Sequence, residues 1–247
     1  MLKFARGFAF IAVVVGVPFL AGCATGPAVS REGPAAEAPT YRVGDRWTYK
    51  ARDGFGLPVI WDEVHEVTAI GPDGITMRVT QRGPSVDNAR IEKLAAPGLV
   101  REGAVFDAET RVFPQPLPRY QFPLKPGESW RGLVANTRQP PEPPGAYSRS
   151  ISHWVSVDGW GKVTTPAGTF DALRLKIIMQ LDDETPWRWP TQCSYYAWYA
   201  PAVRGIVMEE KEAWYLEKSN NDRGANRIRS QSAVVELVSF IPGGGAK

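Results

Sequence analysis

The sequence predicts an all-β, mainly antiparallel domain on three grounds. Short runs of alternating apolar and polar residues recur between residues 41 and 241, and helical periodicity is scarce. The 22 prolines and 24 glycines fall mostly between these runs, as in many short strands joined by turns. We therefore expect a curved sheet or an open β-barrel-like domain, with few short helices.

The first strands are predicted close to the N-terminal end of this domain. Residues 46–50 alternate, and residues 64–70 and 75–81 flank the turn Gly71-Pro72-Asp73-Gly74. This arrangement predicts a β-hairpin. Residues 87–94 are the one stretch that could form a short helix, although their apolar spacing is poor.

Further strands follow in the second part of the domain. Residues 151–157 and 161–165 predict a second hairpin with its bend at Asp158-Gly159, and Pro166-Ala167-Gly168 predicts another turn. The next strand, residues 170–181, places four apolar side chains on one face: Leu173, Leu175, Ile177 and Met179. Three more strands complete the set, at residues 192–199, 205–216 and 232–240.

A weak internal repeat predicts two pseudo-repeated halves, residues 41–122 and 123–241. Val43-Gly44-Asp45-Arg46-Trp47 is echoed by Pro126-Gly127-Glu128-Ser129-Trp130. In each copy we expect a tight turn at the glycine, an acidic residue beside it, and a tryptophan that begins a strand and fills the core.

The N-terminus carries the pattern of an export signal. Lys3 and Arg6 precede an uncharged apolar run at residues 8–20, which is shorter than the roughly 20 residues of a membrane-spanning helix. The run ends at Leu20-Ala21-Gly22-Cys23, which resembles the lipobox of bacterial lipoproteins. That resemblance implies removal of residues 1–22 and acylation of Cys23. An ordinary secretory signal with an incidental cysteine is the alternative.

The resemblance to lipoproteins also implies a location. Ala24, rather than an aspartate, follows the cysteine, which in lipoproteins points to the outer membrane. We therefore expect a protein of the cell envelope, anchored by lipid at Cys23 to the periplasmic face of the outer membrane. Residues 23–40 contain no aromatic residue after the cysteine and are predicted to be a flexible linker. Residues 242–247 are predicted to be a disordered tail.

Two motifs in the second half resemble a pattern of uncharacterised bacterial envelope proteins. Residues 163–175 contain Pro166-Ala167-Gly168-Thr169-Phe170-Asp171-Ala172, and residues 198–207 contain Trp198-Tyr199-Ala200-Pro201. Arg204 is inserted before Gly205 relative to that pattern. The resemblance implies a secreted or lipidated β protein with no established catalysis. The motif residues are those expected to shape turns and to begin strands.

The sequence carries few signals of catalysis or of nucleic-acid, metal or cofactor binding. The formal net charge is +3, or +1 without residues 1–22, which gives no basis for nucleic-acid binding. His65 and His153 lie in strand-like runs, where half-exposed strand residues are expected rather than metal ligands. Neither a metal nor a cofactor is predicted. Cys193, the cysteine left after acylation of Cys23, is predicted to be buried and inert.

Trp187 and Trp189 are the candidate ligand-binding residues of the sequence. They lie between two predicted strands and share a face if the segment is extended. Exposed, they could contact a glycan, a lipid acyl chain or an envelope protein; alternatively, they fold back as a lid on the core. The preceding Asp182-Asp183-Glu184 is predicted to be a solvated hairpin tip.

Three functions remain open from the sequence. The preferred one is a non-enzymatic envelope lipoprotein that binds an apolar ligand or a protein partner through its β domain. An enzyme acting on cell-wall or polysaccharide material would instead need two carboxylates facing each other across a cleft at roughly 5 to 9 Å. A structural brace of an envelope assembly would need no pocket.

Overall fold

The fold is a closed antiparallel barrel of twelve strands, seen in a computed structural model that describes residues 28–53, 60–84, 86–106, 109–138, 149–218 and 226–244. Each strand pairs with the next along the chain, and β12 returns to pair with β1. The all-β antiparallel prediction is confirmed. The barrel is closed rather than open, because the register of Arg46 against Ile241 joins the first strand to the last and leaves no free sheet edge there.

The twelve strands are β1 (Arg46–Asp53), β2 (Ile60–Gly71), β3 (Gly74–Gly83), β4 (Val86–Ala96), β5 (Leu99–Ala104), β6 (Thr110–Pro118), β7 (Ser129–Arg138), β8 (Arg149–Thr165), β9 (Gly168–Leu181), β10 (Gln192–Ala200), β11 (Gly205–Leu216) and β12 (Arg227–Ile241). Pro201–Val203 is the single helical turn of the described chain, a 3₁₀ helix. None of the helical structure in the described ranges is long and apolar enough to cross a membrane.

Several predicted elements lie where the sequence places them. The β2–β3 hairpin closes at Gly71 opposite Gly74, and β10 and β11 lie at the predicted residues. Gly74 has a φ of 112°, and a side chain there would collide with the carbonyl oxygen of Leu94, so the turn requires glycine. The predicted apolar face of β9 is buried along its whole length.

Two predicted elements are wrong. Residues 151–165 do not bend at Asp158-Gly159, because a bulge between Val157 and Gly159 absorbs the irregularity and β8 continues as one strand against β9. Residues 87–94 are not helical, because they pair with β3 along the length of β4. Cross-strand pairing there overrides a weak local pattern.

The linker prediction is wrong for residues 28–40. Ser30 pairs with Trp160, Ala36 pairs with Leu124, and the Nε1 of Trp160 donates to the carbonyl oxygen of Pro34 over 2.9 Å. β7 pairs with β8 only as far as Ser129 opposite Ser156. The last residues of β8 therefore have an edge that β7 does not pair with, and this segment can cover it. Residues 1–27, including the signal and Cys23, lie outside the described part of the chain.

We call the end of the barrel that contains the start of β1 the lower end. The turns after β2, β4, β8 and β10 lie at this end, as follows from the alternating strand directions. The amide of Ala167, in the β8–β9 turn, donates to Leu237 of β12 over 3.0 Å, so this turn reaches across the lower end. The amide of Gly243 donates to Asp45 over 2.7 Å, so the predicted disordered tail is wrong at least for residues 242–244.

The two copies of the sequence repeat form the same local structure. Gly44 and Gly127 have φ values of 88° and 85°, and their amides donate to Val67 and Val157 over 2.8 and 2.7 Å. The carbonyls of Asp45 and Glu128 accept the amides of the same two valines, each over 2.9 Å. The predicted boundary at residues 122/123 falls between β6 and β7, so each predicted half supplies six strands of one barrel.

Candidate ligand-binding site in the barrel interior

The interior of the barrel has two unlike sides. The inner faces of β7 to β10 are packed with aliphatic side chains, among them Val134, Ile151, Val155, Leu175, Ile177 and Met179. The inner faces of β2, β4 and β11 instead carry charged side chains and, together with β3, line two adjoining cavities. Buried apolar residues of the core occur on both sides, and the second side also leaves room inside the barrel.

We call the two cavities the lower and upper chambers. The lower chamber has a volume of about 100 Å³ and the upper one about 270 Å³. One water needs roughly 10 to 15 Å³ on this measure, and small-ligand sites start at about 300 Å³, so the two chambers together lie at the lower end of the size range of ligand sites. They share six lining residues: Glu63, His65, Glu92, Arg119, Glu209 and Val235.

The lower chamber is mostly aromatic and aliphatic away from these shared residues. Its walls come from eight strands and from the segments around residues 41 and 120, and include Tyr41, Trp47, Tyr49, Met77, Leu94, Val100, Tyr120, Phe122 and Tyr199. Two aromatic contacts hold its walls in place. Trp47 stacks on Phe240 with ring centroids 5.2 Å apart, and Phe122 meets Tyr199 edge-on at the same distance.

A charged partition separates the two chambers, and it is built from residues two apart on the same strand. Side chains at i and i+2 face the same side of a sheet. On β2, His65 lies 2.6 Å from Glu63, and on β4 the Nε of Arg90 donates to Glu92 over 2.8 Å. On β11, Lys211 lies 2.6 Å from Glu209. Each of the three carboxylates therefore has a partner on its own strand.

Partners from other strands complete the partition. The Nε2 of Gln81, on β3, donates to Glu63 over 2.6 Å. Arg119, directly after β6, donates to the carbonyl oxygen of Ala104 and lies 4.0 Å from Glu92. Its Nε has no hydrogen-bond partner within the described chain, and neither does the Nε1 of Trp61 in the upper chamber. Both of these groups can only donate, so a bound molecule that satisfied them would have to present acceptor atoms.

The electrostatics keep the partition charged. Burial by itself would raise the pKa of Glu63, but the hydrogen bond and charge of His65, with Lys211 and Gln81, lower it below the ordinary 4.5. Burial opposes ionisation of Glu92 in the same way, and Arg119 and Arg90 lower its pKa. Burial, and then the charge of Asp45, raises the pKa of Tyr41 to about 12, so this phenol stays neutral.

Such a partition costs free energy that a purely structural core would avoid. Removing a charge from water costs several kcal/mol, and buried ion pairs are often no more stabilising than apolar residues of similar volume. Its polar groups, beside an aromatic chamber, form a surface for a molecule with one polar and one apolar part.

Sequence reasoning missed this site. The sequence predicts that His65 is a half-exposed strand residue, whereas its side chain points into the barrel beside Glu63. The sequence does place oppositely charged or basic and acidic residues two apart on three strands: Glu63 with His65, Arg90 with Glu92, and Glu209 with Lys211. Because the neighbouring positions also carry charges, this spacing does not show which face is enclosed.

The predicted ligand-binding residues Trp187 and Trp189 lie elsewhere. Both are about half exposed, so they do not form a buried lid, and they line neither chamber. Residues 185–188 form a turn rather than an extended segment, because Thr185 and Arg188 bond each other. Trp187 contacts Tyr215 edge-on at 5.8 Å, and the ammonium of Lys218 lies 4.6 Å from the Trp189 ring. Ligand contact by these two residues stays a prediction.

Residues of the acidic cluster form hydrogen bonds and an ion pair within the fold, and Cys193 is part of the core. Asp183 accepts hydrogen bonds from Arg188 and from both the amide and the hydroxyl of Thr191, so it organises the β9–β10 connection instead of standing in solvent. Glu184 pairs with Lys218. Cys193 is buried on the inner face of β10, as predicted.

The two histidines do not converge. His65 lies on β2 beside the chambers, whereas His153 lies on β8, six strands further along the chain. His153 is buried rather than half exposed, and neither ring nitrogen has a hydrogen-bond partner among the described residues. No group of three or more His, Cys, Asp or Glu side chains within those residues is arranged to hold a metal ion.

His153 carries a prediction about pH. Burial lowers its pKa below the ordinary 6.5, so the unfolded chain takes up the proton first and stability falls as the pH drops through 6.5. We expect His153→Leu to remove this loss and to gain up to about 1 kcal/mol relative to the parent between pH 7.5 and 5.5. Urea unfolding of the parent and the variant at the two pH values measures this gain. If the free energies of unfolding of the two proteins differed by the same amount at both pH values, the prediction would be contradicted.

Comparisons with known proteins find only distant similarity to solved structures. No protein-family model matches the chain, and no curated protein matches it significantly. A solved Bacteroides fragilis protein, described as exported and of YmcC-like fold, has 17% identity and a TM-score of 0.47, over 84% of this chain and 100% of its own. A Parabacteroides distasonis protein described as a lipoprotein has 15% identity and a TM-score of 0.49, over 85% and 100%.

A third solved structure, the hypothetical lipoprotein YmcC of Escherichia coli, has 10% identity and a TM-score of 0.40, over 80% of this chain and 85% of its own. Similarities at this level are too low to transfer a function to this chain.

Proposed function

We propose that this chain is a lipid-anchored envelope protein that binds an amphipathic small molecule inside its barrel. The apolar part of the ligand occupies the lower chamber, and its polar group lies at the charged partition. The observation that carries the proposal is the pair of adjoining chambers, one mostly aromatic and aliphatic, with a shared wall of ionised side chains. The anchor is the acylated Cys23 indicated by Leu20-Ala21-Gly22-Cys23.

Two alternatives receive less support. A glycoside hydrolase needs a carboxylic acid whose pKa is raised so that it can donate a proton. The pKa values of Glu63 and Glu92 are instead lowered, and each carboxylate is occupied by a basic partner. A brace would have no use for an internal cavity, and filling the chambers with aliphatic side chains would serve it better.

Binding can be tested with decanoic acid as a probe. We expect Met77→Trp, which fills the lower chamber, to weaken binding at least tenfold, measured by isothermal titration calorimetry. The matched control is Arg78→Trp, one residue along β3 on the exposed outer face, which should bind like the parent. Binding that the two variants change equally would contradict the site. The site would also be contradicted if the parent protein did not bind decanoic acid and native mass spectrometry showed no co-purified lipid.

The polar half of the site has its own test. Arg119→Met should weaken binding of decanoic acid about tenfold or more, because a hydrogen bond to a charged group contributes about 1.5 to 3 kcal/mol. Binding of decanol, which has no charge, should change much less. Equal losses for the acid and the alcohol would show that Arg119 does not contact the polar group.

The anchor is tested separately. Cys23→Ser removes the atom that would take the lipid, so we expect the protein to leave the membrane fraction or to remain unprocessed. Mass spectrometry of the parent should show acyl chains on Cys23. Unchanged membrane fractionation of the variant would contradict the anchor while leaving the binding proposal to its own test.

A further inference from the structure

We propose that the lower end of the barrel lies against the membrane, held there by a very short tether. This inference rests on the proposed acylation of Cys23 and goes beyond it, because acylation alone would leave the domain free to take any orientation. It is carried by the contacts that residues from Ala28 onward make with the barrel, and by the length of chain between Ala28 and Cys23.

The segment that begins at Ala28 is part of the barrel wall. Ser30 and Trp160 exchange two backbone hydrogen bonds of 2.8 and 2.7 Å. The carbonyl oxygen of Ser30 fills the space that a side chain on Gly159 would need, and the carbonyl oxygen of Ala28 lies 2.9 Å from the corresponding position on Gly161. The two glycines thus allow the segment to lie directly on β8.

The free tether is therefore far shorter than the sequence predicts. A flexible linker over residues 23–40 would separate lipid and domain by roughly 20 to 25 Å on average and would allow free tumbling. With residues 28–40 bound to the barrel, five steps of chain join Cys23 to Ala28. Fully extended, they reach at most roughly 18 Å.

This reach is less than the height of the barrel. A strand such as β3, with ten residues, extends roughly 30 Å, or roughly 20 to 25 Å along the axis of a barrel with tilted strands. Ala28 lies beside the lower part of β8, so the upper end of the barrel cannot turn to face the bilayer without pulling the segment off β8.

The lower end has a surface that suits contact with lipid. Val43, Ile70 and Ile241 are each between 46% and 56% exposed there, although they are large apolar residues. Arg46, which pairs with Glu66 over 4.0 Å, lies beside Ile241 in the β1–β12 pairing. Exposed apolar side chains next to charged ones are typical of surfaces that rest on a membrane interface.

The orientation can be measured by energy transfer to the bilayer. The acylated protein is placed in vesicles of phosphatidylethanolamine and phosphatidylglycerol that contain an acceptor lipid. A donor dye is attached at Lys162→Cys, beside Ala28, or at Arg82→Cys at the upper end of β3; the side chains replaced are 75% and 82% exposed. Cys193 is buried and so does not compete for the dye.

We expect clearly stronger transfer from position 162 than from position 82. Inserting twenty glycine and serine residues between Thr25 and Gly26 should abolish most of that difference, because the tether then exceeds the height of the barrel. Equal transfer from the two positions in an acylated, membrane-bound protein would overturn the orientation alone. Absence of acyl mass on Cys23 would overturn the anchor and the orientation together, while decanoic-acid binding would still test the barrel site.

Discussion

Asp45→Ala is expected to lower the free energy of unfolding by about 3 to 5 kcal/mol, the range for breaking a buried ion pair by removal of one partner. Asp45 is fully buried at the lower end of the barrel. Its carboxylate accepts hydrogen bonds from the Nη2 of Arg204 over 2.6 Å and from the amides of Arg42 and Gly243 over 2.8 and 2.7 Å. Alanine would leave the Nη2 of Arg204 and two amides without their acceptor.

The internal repeat supplies the matched control for this change. Glu128 occupies the equivalent position in the second copy and forms the equivalent turn, but its side chain is exposed and its 3.2 Å pair with Lys125 lies in solvent. We expect Glu128→Ala to cost at most about 1 kcal/mol, as for other exposed pairs. Urea unfolding at pH 7 compares the two. If the two variants lost the same free energy of unfolding, the buried contacts of Asp45 would stabilise the lower end no more than the exposed pair of Glu128 does.

Leu175→Ala is expected to cost about 2 to 5 kcal/mol, the range for removing a buried leucine side chain and leaving a cavity. Leu175 is completely buried on the packed inner face of β9. Its neighbours on β8 and β10, Val157 and Ala197, are also buried, so the surrounding side chains have little freedom to fill the space.

Met77→Ala is the comparison on the other side of the barrel. Met77 is also buried, but it lines the lower chamber, where its loss enlarges a space that already exists. We therefore expect a clearly smaller cost than for Leu175→Ala, measured by urea unfolding of both variants. If the two substitutions cost the same, the interior is packed alike on both sides and the chamber is not available to a ligand.

The parts of the fold that could be predicted from sequence are those with a strong local signal. The turn at Gly71 to Gly74 and the alternating apolar face of β9 depend on residues close together in the chain. Strands β5, β6 and β7 carry no such signal. Pro114 and Pro116 interrupt the pattern of β6, and the structure tolerates them because the ladder to β7 stops at Val112 opposite Thr137.

The candidate site was much less accessible to sequence reasoning. Glu63 and His65 are neighbours on one strand, but Gln81 and Arg119 reach the partition from β3 and from beyond β6. Whether a charged residue in a strand faces solvent or a cavity depends on which face the barrel encloses. No local pattern contains that information when both faces carry charges.

Local sequence patterns are enough to predict the antiparallel β class, the repeated turn before Trp47 and Trp130, and the N-terminal motif that indicates acylation of Cys23. These features depend on the period of two along a strand, on glycine's access to positive φ, and on short contiguous motifs. Three other features emerge from the folded barrel: β12 closes on β1, residues 28–40 lie on the barrel, and charged side chains meet inside it. Each of these depends on contacts between residues far apart in the chain, whose pairing becomes definite only when all twelve strands are in register.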